Sequence, residues 1–394
     1  MKYFVLIMDG ASGWPLENYG RKTCLELAKT PNLDSLAKEG FIGLVRTVPE
    51  GMEPSSACAC MSILGYDPRV YFSGRGPIEA KSMGIQLAED EVAFRCNLVA
   101  VREGKMWSYS SGHISDDEAR VLIRALQERL GNERVRFHPG VSYRHICTIR
   151  KGEDCLKAVC TPPHDIPDKP IAEFMPHGPG SELLVDLMER SQTILKGHPI
   201  NLAREARGEI PANMIWLFWG GKNAPELPPF QLEFGLKAAL TSGVDLLKGL
   251  AKLAGISVLE IPGVTDNLKN DYKAQARGAL QALEEKDIVF VHIEAPDEAA
   301  HEGNVEQKIA AIEQIDKLVV SQFLSWEKDD LRALILPDHP TPIKIRTHAP
   351  DPVPFLLWGP GVVSNNAWDF SENSAQNAGF YLSKGHELLR LLLK

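Results

Sequence analysis

The sequence predicts an α/β protein, a mostly parallel sheet flanked by helices with a smaller α+β domain inserted. Three observations carry this reading. Apolar runs recur along the chain ("YFVLIM", "MIWLFW", "ISVLEI", "DIVFVHI", "LRALIL", "VPFLLW"), continuous rather than alternating, as suits strands covered on both faces. Helical stretches separate them. With 394 residues, 44% hydrophobic and 24% charged, the chain can bury one large core or two moderate ones.

Taken in order, "YFVLIM" is the first strand. It is too short for a signal segment or a membrane span and stops at Asp9. "TPNLDSLAKEG" reads as a helix with Thr30 as N-cap, Pro31 in the first helical position and Gly40 as the stop. "GMEPSSACACMSILGYDP" offers Ser55 and Ser56 after a proline and before small residues that can open a helix. Between about 108 and 180 the pattern changes to His, Pro and short mixed segments ("RFHPGVSYRHICTIRKGED", "TPPHDIPDKP"). We read that span as the inserted domain, capping a core made of residues 1–107 and 181–394, where the apolar runs resume.

Composition narrows the function classes. A net charge of -9 without a dense Lys/Arg block argues against nucleic acid as a partner. The seven cysteines are odd in number and lack paired CxxC spacing, so a reduced cytoplasmic protein is expected, with no membrane association. A homo-oligomer is compatible with the sequence, which does not fix the number of copies.

The acidic residues and histidines fall at the ends of the apolar runs. "YFVLIMDG" ends at Asp9, "DIVFVHIEAPDEAAH" at Asp297 and His301, and "LRALILPDHP" at Asp338 and His339, while His348 in "RTHAPDPVPF" precedes the last run. Groups beyond the carboxyl ends of strands in an open α/β sheet line the crevice where ligands bind. Alone, each element has a plain reading: a helix-face pair, a turn, a surface histidine. Together they place three carboxylates at one edge, and such groups resist ionisation unless a cation neutralises them. Mixed carboxylate and imidazole ligands suit Mn²⁺, Zn²⁺ or Fe²⁺ better than Ca²⁺. Ser55 and Ser56 are nucleophile candidates beside such ions, because amides at a helix N-terminus favour an alkoxide or phosphate. The plain alternative is a serine N-cap.

The motifs "LIMDG", "KTPNLDSLAKEG", "MSILGYDP", "GRGPIEA", "EAPDEAAHEGN", "PDHPTP" and "THAPDPVPF", in this order, resemble the archaeal-type 2,3-bisphosphoglycerate-independent phosphoglycerate mutases of the alkaline phosphatase superfamily. Within it, the chain looks especially like a bacterial branch described as a proposed homoserine kinase. The resemblance spans nearly the whole chain and implies an alkaline-phosphatase-like core. It implies one metal held by Asp297, His301 and His348, and a second by Asp9, Ser56, Asp338 and His339, with Ser56 rather than Ser55 as nucleophile. Two divalent ions are expected, Mn²⁺ first, with Zn²⁺, Co²⁺ or Mg²⁺ as alternatives. The substrate would be a small phosphorylated metabolite gripped by His113, Arg144, Arg204 and Arg207, each of which could instead serve a structural salt bridge. The expected activity is interconversion of 3-phosphoglycerate and 2-phosphoglycerate through a phosphoserine. One departure stands out. Where the family reads Gly-Ser-Asp-x-Ala-Asn, this chain has Ala57 and Cys60 in place of Asp and Asn. That leaves open a phosphatase or homoserine-kinase-like phosphotransferase on another metabolite, or a catalytically weakened metal-binding homologue.

Overall fold

A computed structural model describes residues 1–223, 226–326 and 330–394. Its strands, in chain order, are β1 (Lys2–Met8), β2 (Phe41–Val45), β3 (Glu91–Arg102), β4 (Lys105–Ser108), β5 (Val135–Val141), β6 (Arg144–Arg150) and β7 (Met214–Lys222). There follow β8 (Ala238–Thr241), β9 (Ser257–Val258), β10 (Ile288–Ile293), β11 (Leu331–Leu336), β12 (Val353–Trp358) and β13 (Tyr381–Leu382). The chain divides into two compact units, one of residues 1–72 and 226–394, the other of 73–225.

The larger unit is built on an eight-stranded sheet ordered β13-β2-β12-β11-β1-β10-β8-β9. All neighbours run parallel except β12, which is antiparallel to both β11 and β2. The central strands are apolar throughout because helices cover both faces: Phe4, Leu6, Val289, Val291, Ala333 and Ile335 share one core cluster with helix residues such as Leu33, Leu36, Ile312 and Ile315. β11, β1 and β10 lie side by side in that order, so their carboxyl ends are neighbours. β12 runs the other way and begins at the edge where those strands end.

The helix Pro31–Glu39 has the expected bounds but different end chemistry. Thr30 makes no side-chain cap; the carboxylate of Asp316 instead accepts from Leu33 N at 2.8 Å and Asn32 N at 3.4 Å. Gly40 ends the helix with φ -103, outside the left-handed region. It is required by close approach, since a Cβ there would sit 2.4 Å from the Leu357 carbonyl oxygen.

The smaller unit is a five-stranded antiparallel sheet in which β3 pairs with β4, β6 and β7, and β5 with β6. Helices Asp116–Leu130 and Glu182–Lys196 pack their apolar stripes (Leu122, Leu126, Leu184, Leu187) onto it. Three expectations change. The unit starts and ends well outside 108–180, because β3, upstream of that span, and β7, downstream of it, pair with each other within this sheet. "MIWLFW", read as a strand of the main sheet, is therefore a strand of the smaller one. "ISVLEI" is reduced to the two-residue edge strand β9.

On one helix of this unit, Arg75–Ser82, Glu79 is 5% exposed and takes Arg75 at 2.5 Å and Arg95 at 2.5 and 2.6 Å. Burial alone would raise the Glu79 pKa, yet Arg95 and Arg75 hold it below the ordinary carboxyl value. Removing one charge from a buried pair strands the other. Glu79→Gln should therefore cost roughly 3 kcal/mol in a denaturant melt. Because the folded pKa is lowered, that difference should be complete above the unfolded carboxyl pKa of about 4.3 and shrink as pH falls through the folded value.

Candidate metal centre and active site

Each strand of the central trio delivers its ligand candidates at its carboxyl end. Asp9 follows β1, the helix Ala295–His301 carrying Asp297 and His301 follows β10, and Asp338 and His339 follow β11. His348 leads into β12, and β12's reversed direction brings it to the same edge. β2 runs parallel to β1 through the two reversals at β12 and hands the chain to Thr47, whose hydroxyl donates to Asp338 O. From there it reaches the helix Ser56–Ile63.

These side chains assemble into two clusters. In the first, His301 Nε2 lies 3.0 Å from Asp297 Oδ2 and 3.1 Å from His348 Nε2, which is 3.8 Å from Asp297 Oδ2. Their Nδ1 atoms face backbone carbonyls, Arg346 O at 2.8 Å and Pro54 O at 3.2 Å. A carbonyl only accepts, so each Nδ1 carries a hydrogen and, in the form that binds a metal, each Nε2 would turn a lone pair toward Asp297. Two such lone pairs need a cation between them. Without a metal, a proton serves: against the effect of burial, Asp297 raises the His301 pKa to about 9, and the two histidines hold Asp297 well below the usual range although burial opposes it.

In the second cluster His339 Nε2 is the hub. Ser56 Oγ and Asp338 Oδ2 lie 3.2 Å away and Asp9 Oδ1 3.6 Å away. Ser55 is spent otherwise, since its hydroxyl accepts from Cys58 N as the helix N-cap. Only the second serine of the pair thus turns its hydroxyl to this hub. Burial first, then Asp338 and Asp297, push the Asp9 pKa well up, and Asp9 Oδ1 is buried with no hydrogen-bond partner among the described residues. Burial also keeps His339 neutral, its pKa well below the ordinary value.

The donor sets and the orphaned Asp9 oxygen fit divalent cations, one for Asp297, His301 and His348, another for Asp9, Asp338, His339 and Ser56. Asp9 is held in place by His292, which sequence reasoning missed. His292 Nε2 is 2.8 Å from Asp9 Oδ2, and its Nδ1 is 3.0 Å from the Ser242 hydroxyl. Glu294, also missed, adds a further carboxyl to the crowd: burial and then Asp9 push its pKa well up, and Oε2, 3.8 Å from His292 Nε2, has no hydrogen-bond partner among the described residues. Both lay inside quoted stretches, His292 as the lone imidazole in an apolar strand and Glu294 just past its end. A titratable group on a strand buried on both faces needs a partner, and that was the available signal.

The substrate-binding candidates all belong to the smaller unit. Arg144 packs its guanidinium 5.1 Å from the Tyr143 ring centre, and His113 packs edge-on against the same ring at 5.8 Å. Arg204, 6% exposed in its side chain, pairs with Glu118 at 2.5 Å and donates to Ile210 O and Ser111 O. Arg207 pairs with Glu118 at 2.7 Å and Glu209 at 2.8 Å. Carboxylates of the protein thus already answer both of these guanidiniums. All seven cysteines are free, and no helix among the described residues is long and apolar enough to cross a membrane.

Comparison with known proteins points in one direction. Residues 37–201 match the family described as 2,3-bisphosphoglycerate-independent phosphoglycerate mutase. The enzyme so named from Methanothrix thermoacetophila is 49% identical over the full length of both chains. A solved Pyrococcus horikoshii protein is 27% identical with a TM-score of 0.79, covering 100% of this chain and 96% of the other. The cofactor-independent phosphoglycerate mutase of Thermoplasma acidophilum is 26% identical with a TM-score of 0.59, covering 100% of this chain and 99% of its own.

Asp9→Asn tests the electrostatic account with two readouts of opposite sign. Removing one charge from crowded acids should stabilise the metal-free protein by about 1 kcal/mol or more in a thermal melt. The same change should weaken Mn²⁺ binding at least about tenfold, the loss that even partners of metal ligands produce.

Proposed function

The chain belongs to the 2,3-bisphosphoglycerate-independent phosphoglycerate mutases, and on that premise we propose that it interconverts 3-phosphoglycerate and 2-phosphoglycerate through a phosphoserine on Ser56. The observation that carries the assignment is the meeting, at the N-terminus of a helix, of Ser56 Oγ with His339 Nε2, the nitrogen that Asp338 and Asp9 also face. Asp297, His301 and His348 would hold one divalent ion, and Asp9, Asp338, His339 and Ser56 the other, with Mn²⁺ our choice. When bound, such ions lower a hydroxyl's pKa and screen the charge of a phosphate.

This chain's own groups do the rest. The Ser56 oxygen forms a bond to phosphorus as the bond from phosphorus to the C3 oxygen breaks, and the serine proton is made up to the departing glycerate oxygen. The C2 hydroxyl then attacks the phosphoserine, loses its proton, and Ser56 leaves and is reprotonated. Atoms and protons balance without a second phosphate donor. The amide N–H groups opening the helix Ser56–Ile63 face the serine end and favour the phosphate's negative charge. Arg144 and His113 are our candidates for the grip on the glycerate. A substrate role for Arg204 or Arg207 requires Glu118 and Glu209 to release them.

A second reading, phosphoryl transfer on a different small metabolite, is favoured by Ala57 and Cys60. Both are buried on the helix that carries Ser56, and the Cys60 thiol lies 3.8 Å from Asp338 Oδ2. A thiol is a weak donor where the family has an amide. Loss of a donor that acts in the transition state costs about 10²-fold or more.

Intact-mass measurement after incubation with 3-phosphoglycerate and Mn²⁺ should detect one added phosphate on the unaltered protein and none on Ser56→Ala, which should also lose isomerisation. Ser55→Ala should keep both, at a cost of about 1 kcal/mol in stability for the lost cap. A phosphate mapped to Ser55, or persisting in Ser56→Ala, refutes the nucleophile. Ala57→Asp with Cys60→Asn should raise mutase turnover if the substrate is phosphoglycerate and leave it unchanged if the second reading holds.

A further inference from the structure

We propose that Thr341 is a positioning residue common to both candidate metal sites, its single hydroxyl orienting Asp297 of one and His339 of the other. The inference rests on the two-metal reading above and adds to it a residue outside both candidate ligand sets.

Thr341 is fully buried, with Oγ1 2.5 Å from Asp297 Oδ1 and 3.2 Å from His339 Nδ1. The hydroxyl has one proton, and an ionised carboxylate can only accept. The proton therefore points to Asp297 Oδ1, and Thr341 must accept from His339, so that His339 carries its hydrogen on Nδ1. Both consequences serve the ligands. His339 is left with a bare Nε2 facing Ser56 Oγ, Asp338 Oδ2 and Asp9 Oδ1. Asp297 has Oδ1 engaged, leaving Oδ2 for the corner shared with His301 and His348. One hydroxyl thus selects a tautomer in one site and an oxygen in the other.

The backbone of Thr341 is anchored independently of that hydroxyl. Its N–H donates to Ser12 O at 3.0 Å, and its carbonyl accepts from the buried Lys308 ammonium at 2.9 Å, which also donates to Ser12 O at 2.9 Å. Gly10, with φ +60, leaves the space: a Cβ there would lie 2.3 Å from Asp297 Oδ1 and 2.7 Å from Thr341 Oγ1. The loop should therefore stay in place when only the hydroxyl is removed, and Thr341→Val, nearly equal in shape, removes it cleanly.

The test is calorimetric titration of the chelator-stripped full chain with Mn²⁺. The unaltered protein should bind two ions. Thr341→Val should bind both more weakly, each by about 10- to 100-fold, the loss expected when a ligand's partner is removed. Thr341→Ser, which keeps the hydroxyl, should restore affinity to within a few-fold of the original. A second readout is the ring-nitrogen NMR signal of His339 in the metal-free protein, which should report hydrogen on Nδ1 in the original and a shift toward Nε2 in Thr341→Val. Two sites of unchanged affinity in Thr341→Val, or weakening of one site alone, overturns the proposal and leaves the two-metal reading standing. If the unaltered protein binds no Mn²⁺ at either site, the two-metal reading fails and this inference with it.

Discussion

Four carboxylates, Asp9, Glu294, Asp297 and Asp338, are brought to one edge of a sheet and withdrawn from water, and the site is organised by that crowding. Desolvation and mutual repulsion raise three of them, Asp9, Glu294 and Asp338. Asp297 alone is held low, because two imidazoles face it. The three aspartates each have a counterpart that makes burial tolerable: His292 for Asp9, the amides of Gly10 and His339 for Asp338, Thr341 and the histidines for Asp297. What these partners leave unanswered, above all Asp9 Oδ1, is the share that a divalent cation would take. The phosphoryl chemistry proposed for Ser56 draws on the same arrangement, since a divalent cation held by these acids would lower the pKa of the serine hydroxyl, which the acids alone would raise.

Much of the larger unit was legible because its strands are buried on both faces. Such strands read as unbroken apolar runs, and the polar residue that ends each run marks the sheet edge. Asp9, Asp338 and His339 could be found that way. His348 was placed at that edge too, although the topology behind it was not visible: it precedes its strand rather than following it, and it reaches the edge only because β12 runs antiparallel to β11. The same local signal misled for Met214–Lys222, which is as apolar as a central strand yet pairs with β3 in the other sheet. A run of buried residues says that a strand is covered and does not say which sheet it joins. The limits of the smaller unit were misjudged for that reason.

The unread part of the site is the layer that holds the candidate ligands. His292, Thr341 and Lys308 act through hydrogen bonds to partners 283, 44 and 296 residues away, and no local pattern encodes such distances. Their types carry a hint all the same. An imidazole inside "DIVFVHI" or a lysine on the buried face of a helix is costly unless paired, and Lys308 is paired through two carbonyl oxygens, Ser12 O and Thr341 O. Arg204 and Arg207 show the converse. The resemblance implied a grip on substrate for them, with a structural salt bridge as the alternative, and Glu118 and Glu209 take up both guanidiniums.

The central claim is that these strand ends form two metal sites around Ser56. Crystals grown with Mn²⁺ and measured at the manganese absorption edge test it directly. The account predicts two anomalous peaks roughly 3.5–4 Å apart, one bounded by Asp297, His301 and His348, the other by Asp9, Asp338, His339 and the Ser56 hydroxyl. A single peak, or peaks seated away from these side chains, would contradict it.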